Sequence, residues 1–197
     1  GRGEEGSPQK DKFVSGPSDD DVMDCMDGVT SDFGIEVLRQ HHEKPFFLAT
    51  GFVRPHLPFI APRKYFEHYP LDSIEMHPVK EDDLADAPWV ARRNARVDDD
   101  INIREADPQG RKRVIQAYYA CASFVDDMIG RVLSELERSP HADNTIVAFW
   151  SDHGWHLGEK RSWRKFSLWE ESARTPMIIY DPRRKQKKKK KCERPVG

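Results

Sequence analysis

The sequence predicts an α/β protein with a sheet packed between helices, and three observations carry that prediction. Three short apolar runs rich in β-branched and aromatic residues, 46–52, 146–150 and 177–180, read as buried strands. Two longer amphipathic stretches, from Ser18 to about His42 and from Asp107 to about Arg138, read as helices. Helix and apolar strand alternate along the chain, as βαβ-type connections require.

Bulk properties narrow the class further. The 197 residues suffice for one sizeable domain with its own core. With 34% charged and 37% hydrophobic residues, the chain reads as a soluble domain with long polar loops. No apolar run approaches the ~20 residues of a membrane span, so no membrane partner is expected. The start has neither an initiator Met nor a basic-then-apolar leader pattern, so the chain reads as beginning in mid-protein or as processed. No Asn-x-Ser/Thr sequon occurs, which speaks against a glycosylated secreted or lysosomal context. Cys25, Cys121 and Cys192 are too few and too scattered for a disulfide framework or a zinc cluster. Cys121 reads as a small core residue, and none of the three as a nucleophile.

Taken in order, residues 1–17 read as a loop or frayed terminus. The helix after it is expected to start with Ser18 as cap and Asp19–Asp21 in its first turn. Its core-facing stripe is expected to be Val22, Met26, Val29, Phe33 and Val37, with Gly28 and Gly34 weakening the helix. Pro45 opens the 46–52 strand, and beyond it Pro55 and Pro58 bracket His56 and fix where its imidazole points. Residues 70–106 read as irregular. Asp107-Pro108 starts the long helix, whose stripe is Val114, Ala117, Tyr118, Cys121, Val125, Met128, Val132 and Leu136. Asp126 and Asp127 point about 100° apart on it, so they read as a hydrogen bond to a neighbour and a solvated charge. Residues 183–191, RRKQKKKKK, carry about +8 of the charge and read as a solvated, disordered loop; polyanion binding is the rival. No aromatic residue interleaves with the lysines, so nucleic acid is not expected as a partner.

The stretch with most chemical content is 145–165, TIVAFWSDHGWHLGEKRSWRK. At the strand's carboxyl end, where α/β sheets place ligands, come Asp152 and His153, a pair that by itself reads more readily as a loop cap than as half of a metal site. His156, Lys160, Arg161, Trp163, Arg164 and Lys165 follow, and read as a cationic and aromatic rim for an anion.

SDHGWHLGEK, WRK-x-x-x-WE and RTPMIIY, together with GFVRPHLPF-x-x-P-x-x-YF, resemble the formylglycine-dependent sulfatases, in the iduronate 2-sulfatase-like branch of the alkaline-phosphatase-like superfamily. The resemblance implies a mixed, mostly parallel sheet between helices, present as a partial catalytic domain over 18–182, with 183–197 a basic loop and truncated continuation. It also implies hydrolysis of a sulfate ester on a sulfated sugar or glycan, and a periplasmic, extracellular or lysosomal location. A phosphate or phosphonate monoester hydrolase of the same fold and a non-catalytic polyanion-binding remnant are the alternatives. By the same resemblance Asp152 and His153 are ligands of a divalent metal, usually calcium, and His56 and Lys165 are catalytic. Arg54, Trp155 and His156 would border the substrate, and Arg54 stands where the family more often has Lys. The insertion at 70–106 would wall the substrate pocket. No cysteine or serine stands in the C/S-x-P/A-x-R signature that yields formylglycine, so the nucleophile is expected outside this chain, which alone should be inert.

Overall fold

The computed structural model describes residues 14–184, and its architecture is α/β. Strand β1 (Ser15–Ser18) pairs in parallel with β2 (Phe59–Pro62), Ser15 facing Phe59. Helix α1 (Met26–Arg39) lies in the crossover between them, and the short α2 (Arg63–Phe66) follows β2 directly. Helices α3 (Trp89–Asn94) and α4 (Val97–Ala106) precede the long α5 (Gly110–Arg138). Strand β3 (Val147–Trp150) then pairs antiparallel with β4 (Met177–Tyr180), with α6 (Glu170–Ala173) between them in sequence.

The core forms along α5, as its periodicity predicts. Val114, Ala117, Cys121, Val125 and Met128 are buried at helical spacing, joined by Ile115, Ala120 and Phe124. Phe59 and Ala61 of β2, Tyr65 of α2 and Trp163 close over that face. Burying a side chain of this size contributes about 1.5–3 kcal/mol, so this one face supplies most of the fold's apolar stabilisation. Asp127 accepts a hydrogen bond from Tyr65 at 2.8 Å, the neighbour contact expected of it.

Five expectations need correction. Ser15–Ser18 is a strand rather than part of a loop, because the extended chain finds the open edge of β2; residues 1–13 lie outside the described residues. Helix α1 begins at Met26, not Ser18, and buries the opposite face: Met26, Val29 and Phe33 are 69%, 58% and 54% exposed. Asp27, Gly28, Ser31, Gly34, Ile35 and Leu38 are buried instead. The small residues let α1 approach closely, since a Cβ on Gly28 would collide with the Val22 carbonyl and Ser31 Oγ donates to the Met128 carbonyl of α5 at 3.2 Å. The glycines expected to weaken this helix are what seat it.

Residues 46–52 alternate half-buried and exposed, the period of a strand, yet form no ladder among the described residues, and Phe47 is 90% exposed. The β3–β4 ribbon forms as the apolar runs predict but is not buried: Trp150 and all of β4 are exposed. Finally, 70–106 is not wholly irregular, because α3 and α4 occupy its second half.

Candidate active site

Strand β3 delivers Ser151-Asp152-His153-Gly154 against α6. Gly154 N donates to the Ser172 carbonyl at 2.8 Å, and a Cβ on Gly154 would collide with the Glu171 carbonyl. Only glycine permits this approach, and the turn it makes presents His153. The His153 ring donates from Nδ1 to the Gly154 carbonyl at 2.8 Å. A carbonyl only accepts, so the proton sits on Nδ1 and Nε2 keeps its lone pair. Lys165 Nζ lies 2.7 Å from that Nε2 and donates to it, while Asp152 Oδ2 is 3.4 Å away on an exposed side chain.

His56 arrives from a distant segment in the same state. Its Nδ1 donates to the Leu57 carbonyl at 2.8 Å, leaving Nε2 with the lone pair. Trp155 forms a triangle with the two histidines, its ring centroid 5.4 Å from His56 and 6.1 Å from His153, and the two imidazoles are 6.2 Å apart. Lys165 Nζ is 5.9 Å from the Trp155 ring. The fold therefore brings together His56, Asp152, His153, Trp155 and Lys165.

Arg54 is turned inward. Its Nε donates to the Ile60 carbonyl at 2.8 Å, bracing the loop that holds His56. Both prolines flanking His56 follow cis peptide bonds. The loop has a second anchor that sequence reasoning missed. Asp27, only 2% exposed, accepts from the backbone N–H groups of Val53 at 2.7 Å and Arg54 at 3.0 Å. In sequence it is one more acid near a helix start, and nothing there marks it as a loop anchor.

His156 does not lie on a rim. It is fully buried and donates from Nε2 to Ser167 Oγ at 2.8 Å, while that hydroxyl passes its own proton to Ser172 Oγ at 2.9 Å. Its Nδ1 is buried without a hydrogen-bond partner. Burial pushes its pKa below the usual imidazole value, against the opposing charges of Glu171 and Glu159. His156 is a core histidine beneath the loop.

The anion rim is also narrower than expected. Lys160 Nζ pairs with Asp83 at 2.9 Å, and Arg164 makes a two-pronged contact with Asp99 at 2.6 and 3.2 Å. Arg161 lies 3.6 Å from Asp100 and 3.8 Å from Glu81. Asp100 is fully buried and also accepts from Arg111 at 2.6 and 2.8 Å and from Trp163 Nε1 at 2.9 Å. Burial pushes the Asp100 carboxyl up, but the Arg111 and Trp163 hydrogen bonds and the Arg111 and Arg161 charges together outweigh it, so its pKa is lowered. Of the four cations between 160 and 165, Lys165 alone has no carboxylate partner among the ion pairs of the described residues.

As a cation site, Asp152 and His153 supply a carboxylate oxygen and an Nε2 lone pair. Among the described residues no group of three or more His, Cys, Asp or Glu gathers as a metal site, so the pair offers two donors of the larger set that calcium takes. Neither cysteine of the described residues is activated as a nucleophile: burial pushes the Cys121 thiol up to about 12, and burial followed by the charge of Asp20 raises Cys25. Cys192 and the run 185–191 lie outside the described residues. No helix among the described residues is long and apolar enough to cross a membrane.

Comparison with solved structures shows the fold. The phosphonate monoester hydrolase of Silicibacter pomeroyi superposes with a TM-score of 0.73 at 22% identity, over 90% of this chain and 39% of that one. The fold is thus the alkaline-phosphatase-like α/β fold that sulfatases and phosphonate hydrolases share. Relatives in sequence are more specific. A sulfatase of Formosa agariphila is 44% identical over 163 residues, covering 82% of this chain and 32% of the relative. Human iduronate 2-sulfatase is 35% identical over 182 residues, covering 83% of this chain and 33% of the relative. The sulfatase family profile matches residues 5–195, and the chain belongs to the sulfatase family. It spans about a third of the length of these relatives.

Proposed function

We propose that this chain contributes the sulfate-holding and metal-holding part of a sulfuric ester hydrolase that acts on a sulfated sugar. The observation that supports it most is the convergence of Lys165 Nζ, His153 Nε2 and His56 around Trp155, a cation and two imidazoles over one aromatic floor. A sulfate ester carries one negative charge on its terminal oxygens, and cleavage develops a second on the departing alkoxide. Lys165 would hold a terminal oxygen. His56, when doubly protonated, would give its Nε2 proton to the leaving oxygen, with Nδ1 kept in place by the Leu57 carbonyl. Asp152 and the Nε2 of His153 would hold a divalent cation, calcium in our reading, and Lys165 would then turn from His153 toward the substrate. Such a cation, when bound, polarises the sulfate. The nucleophile, a formylglycine hydrate, would come from polypeptide outside this chain.

The sugar preference draws on the kinship with an enzyme named for iduronate and on the 35% identity to it. Turnover of 4-methylumbelliferyl sulfate and of a 2-O-sulfated disaccharide by the full-length protein tests the reading. Hydrolysis of both is expected, with Lys165→Ala and His56→Ala each lowering kcat/KM by about 100-fold or more. Cleavage of a phosphonate monoester with no turnover of either sulfate would replace it with the hydrolase reading that the fold equally allows.

A further inference from the structure

We infer that Glu81, Asp83, Asp99 and Asp100 are positioning residues for Lys165, acting as a set of carboxylates that takes up the neighbouring cations and leaves this one for substrate. The inference rests on the reading that Lys165 holds the sulfate.

Four cations lie within six residues, Lys160, Arg161, Arg164 and Lys165, and left to themselves they would repel and compete for the same anion. The chain there is also held in a costly shape. Lys160 and Arg161 both have φ near +50°, at 53° and 52°, a region that is strained for a side-chain-bearing residue and persists only where surrounding contacts impose it. The contacts that impose it come from elsewhere in sequence. Asp83 takes Lys160, Asp100 and Glu81 face Arg161, and Asp99 grips the Arg164 guanidinium with both oxygens.

Asp99 and Asp100 are 6% and 0% exposed, so salt screens these pairs little, and each carboxylate lost would strand a cation. Arg164 is further fixed through its backbone, its carbonyl accepting from His156 N at 3.1 Å. With Arg164 held at both ends, the next residue leaves the chain in one direction, and its ammonium meets His153 Nε2 at 2.7 Å. The long connection before α5 thereby selects which cation of the loop is available.

The test is a double-mutant cycle in the full-length enzyme, read as kcat/KM on 4-methylumbelliferyl sulfate and as competitive inhibition by inorganic sulfate. Asp99→Asn is expected to lower kcat/KM by about tenfold or more and to weaken sulfate inhibition alike, since displacement of a positioning group by about 1 Å can cost 100-fold. In the Lys165→Ala background the same substitution should cost nothing further, and Asp99→Glu should restore most of the activity. Independent, additive losses in the double variant would overturn the inference. Wild-type turnover in Lys165→Ala alone would instead overturn the reading beneath it. Should Asp99→Asn fail to fold, Arg164→Lys, which keeps the charge and loses the fork, enters the same cycle; an unchanged kcat/KM there overturns the inference too.

Discussion

Replacing Asp27 tests how the His56 loop is held. The carboxylate is buried at the start of α1 and accepts two backbone hydrogen bonds, from Val53 and Arg54. A hydrogen bond to a charged group contributes about 1.5–3 kcal/mol net. Asn keeps one acceptor oxygen and turns an amide toward the other N–H, so one bond is lost; Ala loses both. Val53 is 40% exposed, so water can partly replace what its N–H loses, and the low end of the range applies. Asp27→Asn should therefore cost about 1.5 kcal/mol and Asp27→Ala about 3 kcal/mol. For a chain of this size each kcal/mol lowers Tm by about 2–4 °C, giving drops of about 3–6 °C and 6–12 °C. The more specific assay is amide hydrogen exchange resolved to the 50–56 segment. Local loss of about 1.5 kcal/mol speeds exchange at Val53 and Arg54 by about tenfold beyond the change in global stability. If those two amides accelerate only as much as the amides of α5, Asp27 is not the anchor of the loop, and the placement of His56 must be explained by its prolines and Arg54 alone.

Three further outcomes follow from the same geometry. Gly154→Ala drives a Cβ into the Glu171 carbonyl, so overpacking of about 1–3 kcal/mol should lower Tm measurably, and an unchanged melt would show that α6 can yield. Because burial lowers the His156 pKa, the unfolded chain takes up a proton first as pH falls, so the contribution is fully present above about pH 6.5 and declines below it. His156→Gln should flatten the loss of stability between pH 7 and 5, and pH profiles identical to the parent would refute that role. Asp152→Ala in the full-length protein should abolish retained calcium, and an unaltered metal content by elemental analysis would remove Asp152 from the ligand set.

What the sequence made legible, and what it hid, divides by the physics that each element uses. Helix α5 was readable because it is held by apolar burial, and apolar burial writes a 3.6-residue period into the chain. Helix α4 was not, since its buried positions are Asp99, Asp100 and Ile103. A helix anchored by carboxylates has no apolar stripe to find, although its three consecutive aspartates favour a helix N-terminus. In α1 the period was present but on the wrong side: the helix seats through Gly28, Ser31 and Gly34, whose value lies in having little side chain, and hydropathy does not register that. Strands β3 and β4 were legible as strands because β-branched and aromatic runs favour extended chain, whereas their burial depends on neighbours that a local pattern does not contain.

The site shows the same division in sharper form. His56, Asp152, His153, Trp155 and Lys165, singled out by the motifs and the resemblance they carry, lie beside one another in the fold. The family resemblance singled out Lys165, but the charge pattern of EKRSWRK gives no physical reason to rank its cations, which look equivalent as a run of charge. The ranking comes from tertiary partners: three of them meet carboxylates brought from residues 81–100, and a paired cation is spent as an anion ligand. The same reasoning moves His156 from the rim to the core, since a ring with one nitrogen bonded to Ser167 and the other unpartnered under full burial has no surface to offer a substrate. A motif therefore identifies which residue types reach the site, while the charges packed behind it decide which of them remain free to act there.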